Sequence, residues 1–237
     1  MNSWAIIQAR MTSTRFPGKV LKEANGKTIL SWVIDAVRRT PGINGVCVAT
    51  PHGNVHDPVV DEAFRLDAKV YRGSESDVLS RFAEAAEMVG ADAIMRITSD
   101  CPLSDPNING QVLNLLREGD VDYACNNEPF SFPHGFDCEV FTIQALRTAN
   151  EQAKLAYERE HVTPWLKRSE QIRKRYLVSS HPELAKWRLT VDYPEDYELF
   201  KKLVEDNKIK RFDYNAIIQK LTLEPDLLEI NRLRRQR

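Results

Sequence analysis

Short apolar, β-branched runs alternate along the first half of the chain with stretches in which apolar residues recur every three to four positions. Residues 4–9, 45–49, 69–71, 93–97 and 121–124 have strand length and composition. Residues 28–39, 58–66, 78–89 and 108–117 carry helical periodicity, the last closed by Gly119. Strictly alternating signals of this kind predict βαβ crossovers and a mainly parallel sheet with helices on both faces. Ligands of such sheets gather beyond the carboxyl ends of the strands, so the loops after Ala9, Ala49, Tyr71 and Ile97 are the places to seek chemistry.

The rhythm breaks after residue 125. Residues 126–136 hold two prolines, two asparagines and three phenylalanines, a loop-like mixture outside the core. Strands are expected at 138–143, 175–179 and 187–191, the last two as a pair split by His181-Pro182, with a charged helix at 157–168. Helices follow from Pro194. The reading is one domain spanning 1–237, with an antiparallel extension around 125–190 and a helical segment over 194–237.

Composition narrows the function. At 237 residues the chain is long enough for one large core, and 33 Lys+Arg against 34 Asp+Glu exclude an overall basic footprint for nucleic acid. Any anionic ligand must be held by a local cluster. No apolar run approaches the ~20 residues of a membrane span, and the N-terminus shows no signal pattern, so a cytoplasmic protein with no membrane partner is expected. The terminal Arg232, Arg234, Arg235 and Arg237 read as a solvated helix end. Cys47, Cys101, Cys125 and Cys138 show no C-x-x-C spacing and read as small buried hydrophobes rather than zinc or redox ligands.

The first predicted strand runs straight into Ala9-Arg10-Met11-Thr12-Ser13-Thr14-Arg15-Phe16-Pro17-Gly18-Lys19. This loop supplies guanidinium forks, a mobile ammonium, hydroxyls and a glycine for close backbone approach, the mixture a triphosphate needs. It matches neither the P-loop pattern nor G-x-G-x-x-G. The run A-R-M-T-S-T-R-F-P-G-K-V-L resembles the nucleotide-binding signature A-R-x-x-S-x-R-x-P-x-K of the cytidylyltransferases that activate sugar acids. These are the CMP-N-acylneuraminate and CMP-3-deoxy-manno-octulosonate synthetases, and the nearest overall look is to the spore-coat polysaccharide protein F-type branch. The resemblance extends over nearly the whole chain, with several motifs in family order.

That resemblance implies a Rossmann-like α/β fold of the glycosyltransferase-A type and a CTP-dependent enzyme. It also implies that Arg10, Ser13, Arg15, Gly18 and Lys19 hold the phosphates, with Arg10 and Lys19 easing the departure of pyrophosphate. The segment Gly73-Ser74-Glu75-Ser76-Asp77-Val78-Leu79-Ser80-Arg81 corresponds to the family's region bordering the cytosine, which makes Gly73, Ser74, Asp77 and Arg81 nucleotide-binding candidates. Read on its own, the same segment is a strand exit that Ser76 or Asp77 caps into a helix.

Two strand ends deliver an aspartate followed by proline: Asp100 in Thr98-Ser99-Asp100-Cys101-Pro102 and Asp192 in Val191-Asp192-Tyr193-Pro194. Each can bind Mg²⁺ with phosphate oxygens as further ligands, or simply cap the next turn. They resemble the family's G-D-x-P-L and V-D-x-P-E-D motifs, whose aspartates hold the catalytic metal, with Ser99 in place of the glycine. Their convergence on one ion is therefore expected. Glu195 and Asp196 fit the first turn of the following helix as structural acids.

For the acceptor, strand alternation puts Asp137 and Glu139 on one face and Cys138 and Val140 on the other, so the acids are expected to face the cleft beside His134. The helix bearing Arg159-Glu160-His161-Val162-Thr163-Pro164 resembles a motif of the spore-coat branch near the acceptor pocket, which points to Glu160 or His161. The expected reaction transfers CMP from CTP to a small anionic acceptor, a nonulosonic or related 2-keto sugar acid for a surface polysaccharide, with Mg²⁺ as cofactor. A phosphonate or phosphorylated acceptor is the alternative, and the acids at this end favour hydroxyls or an amine. A glycosyltransferase, which usually carries D-x-D, and a non-catalytic nucleotide-binding protein stay open. A homodimer is expected from the family, with the phenylalanine-rich stretch around 126–141 as its interface arm.

Overall fold

The computed structural model describes residues 1–205 and 212–234. The chain runs through β1 (Ser3–Gln8), a tight hairpin of β2 (Glu23–Ala24) and β3 (Lys27–Thr28), α1 (Ile29–Arg38), β4 (Gly45–Pro51), α2 (Asp57–Arg65), β5 (Lys69–Gly73), α3 (Val78–Met88) and β6 (Ala93–Thr98). Then come α4 (Pro106–Glu118), β7 (Tyr123–Cys125), β8 (Glu139–Thr142), α5 (Ile143–Gln152), α6 (Ala156–His161), α7 (Pro164–Arg168), β9 (Lys174–Tyr176), α8 (Pro194–Glu205) and α9 (Tyr214–Leu223). The fold is α/β. Seven strands form one sheet in the order β5-β4-β1-β6-β8-β7-β9. The first four are parallel, β8 is antiparallel to β6 and to β7, and β9 runs parallel to β7.

Strand alternation divides the core. On β1, Ala5 and Ile7 join Val33, Val37 and Val112 under α1, α2 and α4, while Ile6 joins Leu79, Phe82 and Leu146 under α3 and α5. Helix α1 begins where Thr28 accepts a hydrogen bond from the Ser31 amide at 3.0 Å, and its Leu30, Val33, Ile34 and Val37 are buried at helical spacing. A third cluster gathers Trp32, Phe136, Leu189, Phe200 and Ile217 where the C-terminal helices close over one end of the sheet. All four cysteines are free and buried, and burial pushes the Cys47 thiol up to about 12, so none is poised as a nucleophile. Among the described residues no helix is long and apolar enough to cross a membrane.

Three expectations are corrected. Residues 175–179 and 187–191 do not pair as strands: Lys174–Tyr176 pairs with β7. The later segment instead stitches outward, with Leu189 N–H donating to His134 O at 2.6 Å and Val191 N–H to Asp100 O at 2.7 Å. The helix over 157–168 breaks into α6 and α7 because Pro164 lacks an amide, and Val162 takes a left-handed φ of 71° at the joint. The stretch 126–136 is not excluded from the core, since Phe132 and Phe136 are buried against Tyr214 and only Phe130 is exposed among its phenylalanines. At the C-terminus Arg232 and Arg234 pair with Glu229 and Glu195, while Arg235 and Arg237 lie outside the described residues.

Candidate active site

The loop between β1 and α1 folds back on itself, with the Gly18 amide donating to Met11 O at 3.0 Å. Gly18 sits at φ 67°, the left-handed region that favours glycine, and so turns the chain into Lys19. His56 supports the loop from below, its Nδ1 accepting the Met11 amide at 3.2 Å. Its burial, only partly offset by Glu75, lowers its pKa, so it stays a neutral acceptor at neutral pH.

The loop aims its cations at two carboxylates. The Lys19 ammonium donates to Asp192 Oδ1 at 2.8 Å, to Asp100 Oδ2 at 3.3 Å and to Val191 O at 2.8 Å. Arg15 reaches Asp192 Oδ1 at 2.9 Å and Arg188 reaches Asp192 Oδ2 at 2.9 Å. Asp100 and Asp192, far apart in sequence, converge because Asp100 O accepts both the Val191 amide and the Thr190 hydroxyl, which locks the end of β6 to the approach to α8. Asp196 caps the turn by accepting from the Asp192 and Tyr193 amides and holds Arg188, the structural part expected of it. Burial opposes the charge on Lys19, but Asp100 and Asp192 outweigh it and raise its pKa. Burial likewise opposes ionisation of Asp100, yet Lys19 holds that carboxyl far below the usual range.

This donor set fits a hard divalent cation. Among the described residues no three His, Cys, Asp or Glu side chains form a ready cage, but Mg²⁺ usually takes one or two carboxylates and completes its shell with phosphate and water. Asp100 and Asp192 both lie within 3.3 Å of one ammonium nitrogen, so the two acids already embrace a positive charge.

All of this opens into a cleft of about 1660 Å³, larger than the roughly 300–1,000 Å³ of a pocket for one small ligand. Arg10 and Ser13 line the end nearest the basic loop, Arg10 lying 3.7 Å from Glu75, which also accepts from Thr12 at 2.6 Å. Buried Gly73 leaves no space for a Cβ, which would meet Arg81 Cγ at 2.9 Å. Ser74 accepts from the Asp77 amide at 3.0 Å and its carbonyl accepts from buried Arg81, whose Nε has no partner. Burial, with Arg10 nearby, lowers the Arg81 pKa to about 10. Asp77 caps α3 through the Ser80 amide at 3.0 Å and pairs with Arg159 of α6.

The end lined by His134, Glu160 and His161 is more mixed. His134 lies 3.8 Å from Asp137 and 3.5 Å from Arg188, while Asp137 also accepts the Gly135 amide at 2.9 Å. Glu160 and His161 line the cleft and are exposed, with His161 against the Tyr157 ring. Glu139 does face the cleft side, but Arg96 and Lys167 neutralise it, which removes the argument that the acids here favour hydroxyls or an amine. Sequence reasoning missed Gln8, Glu75, Arg96 and Lys167. Arg96 had a signal: one charge inside the otherwise apolar run Ala93–Thr98 must be paired.

A family model described as Cytidylyltransferase matches residues 4–225. An uncharacterized protein of Methanocaldococcus jannaschii is 32% identical over 98% of this chain and 95% of its own. The spore coat polysaccharide biosynthesis protein SpsF of Bacillus subtilis is 31% identical over 84% of this chain and 85% of its own. The solved structure of a cytidylyltransferase from Leptospira borgpetersenii superposes with a TM-score of 0.90 at 31% identity, covering 96% of this chain and 97% of that one.

Proposed function

The chain belongs to the cytidylyltransferase family, CTP-dependent nucleotidyltransferases, and from that premise we propose that it transfers CMP from CTP to a 2-keto sugar acid, with release of pyrophosphate, for a surface polysaccharide. The observation that carries the reading is the Lys19 ammonium suspended between Asp100 and Asp192 at the mouth of a basic loop, in a cleft of about 1660 Å³. The Bacillus relative, a spore coat polysaccharide biosynthesis protein, supports the polysaccharide context.

In this reading Arg10, Ser13, Arg15 and Lys19 bind the triphosphate. Lys19 and Arg15 exchange carboxylate partners for phosphate oxygens and neutralise charge as pyrophosphate departs. Asp100 and Asp192 would hold Mg²⁺, which would supply charge stabilisation at the α-phosphate. Gly73, Ser74 and Arg81 border the base. His134 and Asp137, close to the carboxylate pair, orient the acceptor hydroxyl and take up its proton. A phosphonate acceptor is the second reading, favoured by the two cations at the acceptor end.

The test is release of pyrophosphate from each nucleoside triphosphate with Mg²⁺ and a panel of sugar acids and phosphonates. Release confined to CTP and one acceptor class is expected. Purified, folded protein that releases none from CTP with any acceptor sinks the proposal.

A further inference from the structure

The deep end of the cleft holds a charged cluster that neither the basic loop nor the aspartate pair uses. Arg96 on β6 and Glu139 on β8 stand directly opposite across the antiparallel pair, with Arg96 Nη1 at 2.5 Å from Glu139 Oε2. From the other wall, Lys167 on α7 reaches Glu139 Oε1 at 3.2 Å. The Tyr123 hydroxyl donates to the same oxygen at 2.5 Å. Burial would raise the Glu139 pKa, but Arg96 and Lys167 together bring it down to about 2.

Strand pairing alone accounts for Arg96 with Glu139. It does not account for Lys167, a second cation brought by a separate helix to a carboxylate already paired. Two cations then share one acid that is 2% exposed, which leaves net positive charge on a half-buried stretch of the cleft wall, where an anion would offset it. Of the acids that line this end, Glu128, which acts on Lys167 from a distance, and Glu160 are exposed. Arg159 and Arg168 are taken by Asp77 and Glu158. The donors of the cluster also exceed its acceptors. A guanidinium offers five and an ammonium three. Beyond Glu139, among the described residues Arg96 meets Gln8 Oε1 at 3.3 Å, with Nε unpartnered, and Lys167 meets Asn127 Oδ1 at 3.0 Å.

We propose that Arg96 and Lys167, with Gln8 beside them, bind the anionic headgroup of the acceptor, a carboxylate or a phosphonate, and that Glu139 is the internal counter-ion that fixes the two cations rather than a group that touches sugar hydroxyls. The proposal rests on the cytidylyl-transfer reading for the identity of the second substrate. Its geometry gives the cleft two separate anion sites, the basic loop for the triphosphate and this cluster for the acceptor.

The smallest carriers of the two headgroups, pyruvate and methylphosphonate, test it. Each is titrated into protein saturated with CTP, which occupies the first anion site, and binding is read by ligand-observed NMR. At least one is expected to saturate, and which one separates the carboxylate from the phosphonate. Lys167→Met and Arg96→Gln should each weaken it at least tenfold and leave the CTP dissociation constant within twofold, while Lys167→Arg retains binding. Because Arg96 is part of the sheet, Lys167→Met on the less buried wall decides the matter if Arg96→Gln does not fold. If neither anion binds the wild type, or Lys167→Met binds as tightly as the wild type, the subsite is overturned. A wild type that does not bind CTP would instead overturn the cytidylyl-transfer reading.

Discussion

At one end of the cleft Lys19, Arg15 and Arg188 crowd onto Asp192, and Lys19 also spans to Asp100; at the other, Arg96 and Lys167 share Glu139. Both are ionic clusters lining the cleft, yet only the second has more cations than acids, and they are built differently. The first hangs on loops beyond the strand ends, and Arg15 is half exposed. The second is anchored by strand register and a packed helix, with its carboxylate fully enclosed. A cluster on loops can exchange partners when a charged substrate arrives. One fixed by register offers a preformed surface that needs no rearrangement. The pair of designs suits a reaction in which the nucleotide brings its own charge to redistribute and the acceptor has only to be positioned.

Breaking the first cluster should have the largest effect. Asp192→Asn is expected to lower kcat/KM with CTP and Mg²⁺ by about a thousandfold, the scale of losing a principal transition-state electrostatic contact. CTP binding measured without metal should change little. A loss of under tenfold would mean that Asp192 only anchors Arg188, and the contrast between exchangeable and fixed clusters would collapse.

Lys19→Met sharpens the same point from the opposite sign. Loss of a phosphate-binding ammonium should cost a few hundredfold in kcat/KM, since charge-assisted contacts of this kind are among the strongest available. Removing the positive charge now held between the two acids should make binding of Mn²⁺ alone, without nucleotide, about tenfold tighter by electron paramagnetic resonance titration. Unchanged Mn²⁺ affinity would show that Lys19 and a metal do not compete for those acids.

The fixed cluster should show itself in stability. Glu139→Gln leaves Arg96 and Lys167 without their shared acid, and a loss of roughly 3 kcal/mol is expected in urea unfolding at neutral pH. The folded-state pKa of Glu139 lies near 2, below its ordinary 4.5, so its ionised form stabilises the fold above pH ~4.5 and that contribution is lost as pH falls toward 2. The stability gap between wild type and Glu139→Gln should therefore be constant from pH 7 to about 5 and narrow below it. A gap independent of pH down to 2.5 would detach Glu139 from the ionic account.

The two ends also differ in how far sequence exposes them. Arg10, Ser13, Arg15, Gly18 and Lys19 fall in one short loop after an apolar strand, so their chemistry can be read as a unit, and Asp100 and Asp192 each follow a strand-like run and precede a proline. Arg96, Glu139 and Lys167 can be joined only by knowing that β8 lies antiparallel beside β6 with Glu139 opposite Arg96. A shift of one residue would turn Glu139 to the other face. The parallel half of the sheet was legible because each helix crossover carries its own periodic signal. Residues 187–191 were misread as a strand because an apolar alternating run looks the same whether its amides meet a neighbouring strand or, as here, the backbone of His134 and Asp100.

Asp77 stands on the border between the two ends and should give the smallest effect. Its carboxylate caps α3 through the Ser80 amide at 3.0 Å and forms a forked pair with Arg159 of α6, which ties α3 to α6. Asparagine is as good a cap as aspartate, so Asp77→Asn removes only the charge of a partly exposed pair, worth under about 1 kcal/mol. A drop of a few degrees in Tm and a KM for CTP within threefold of wild type are expected. If the carboxylate reads the cytosine edge, the same substitution would raise that KM more than tenfold and relax discrimination against UTP, because a buried polar contact to the base would be lost. That outcome would move Asp77 from the frame that joins the two clusters into the nucleotide end itself.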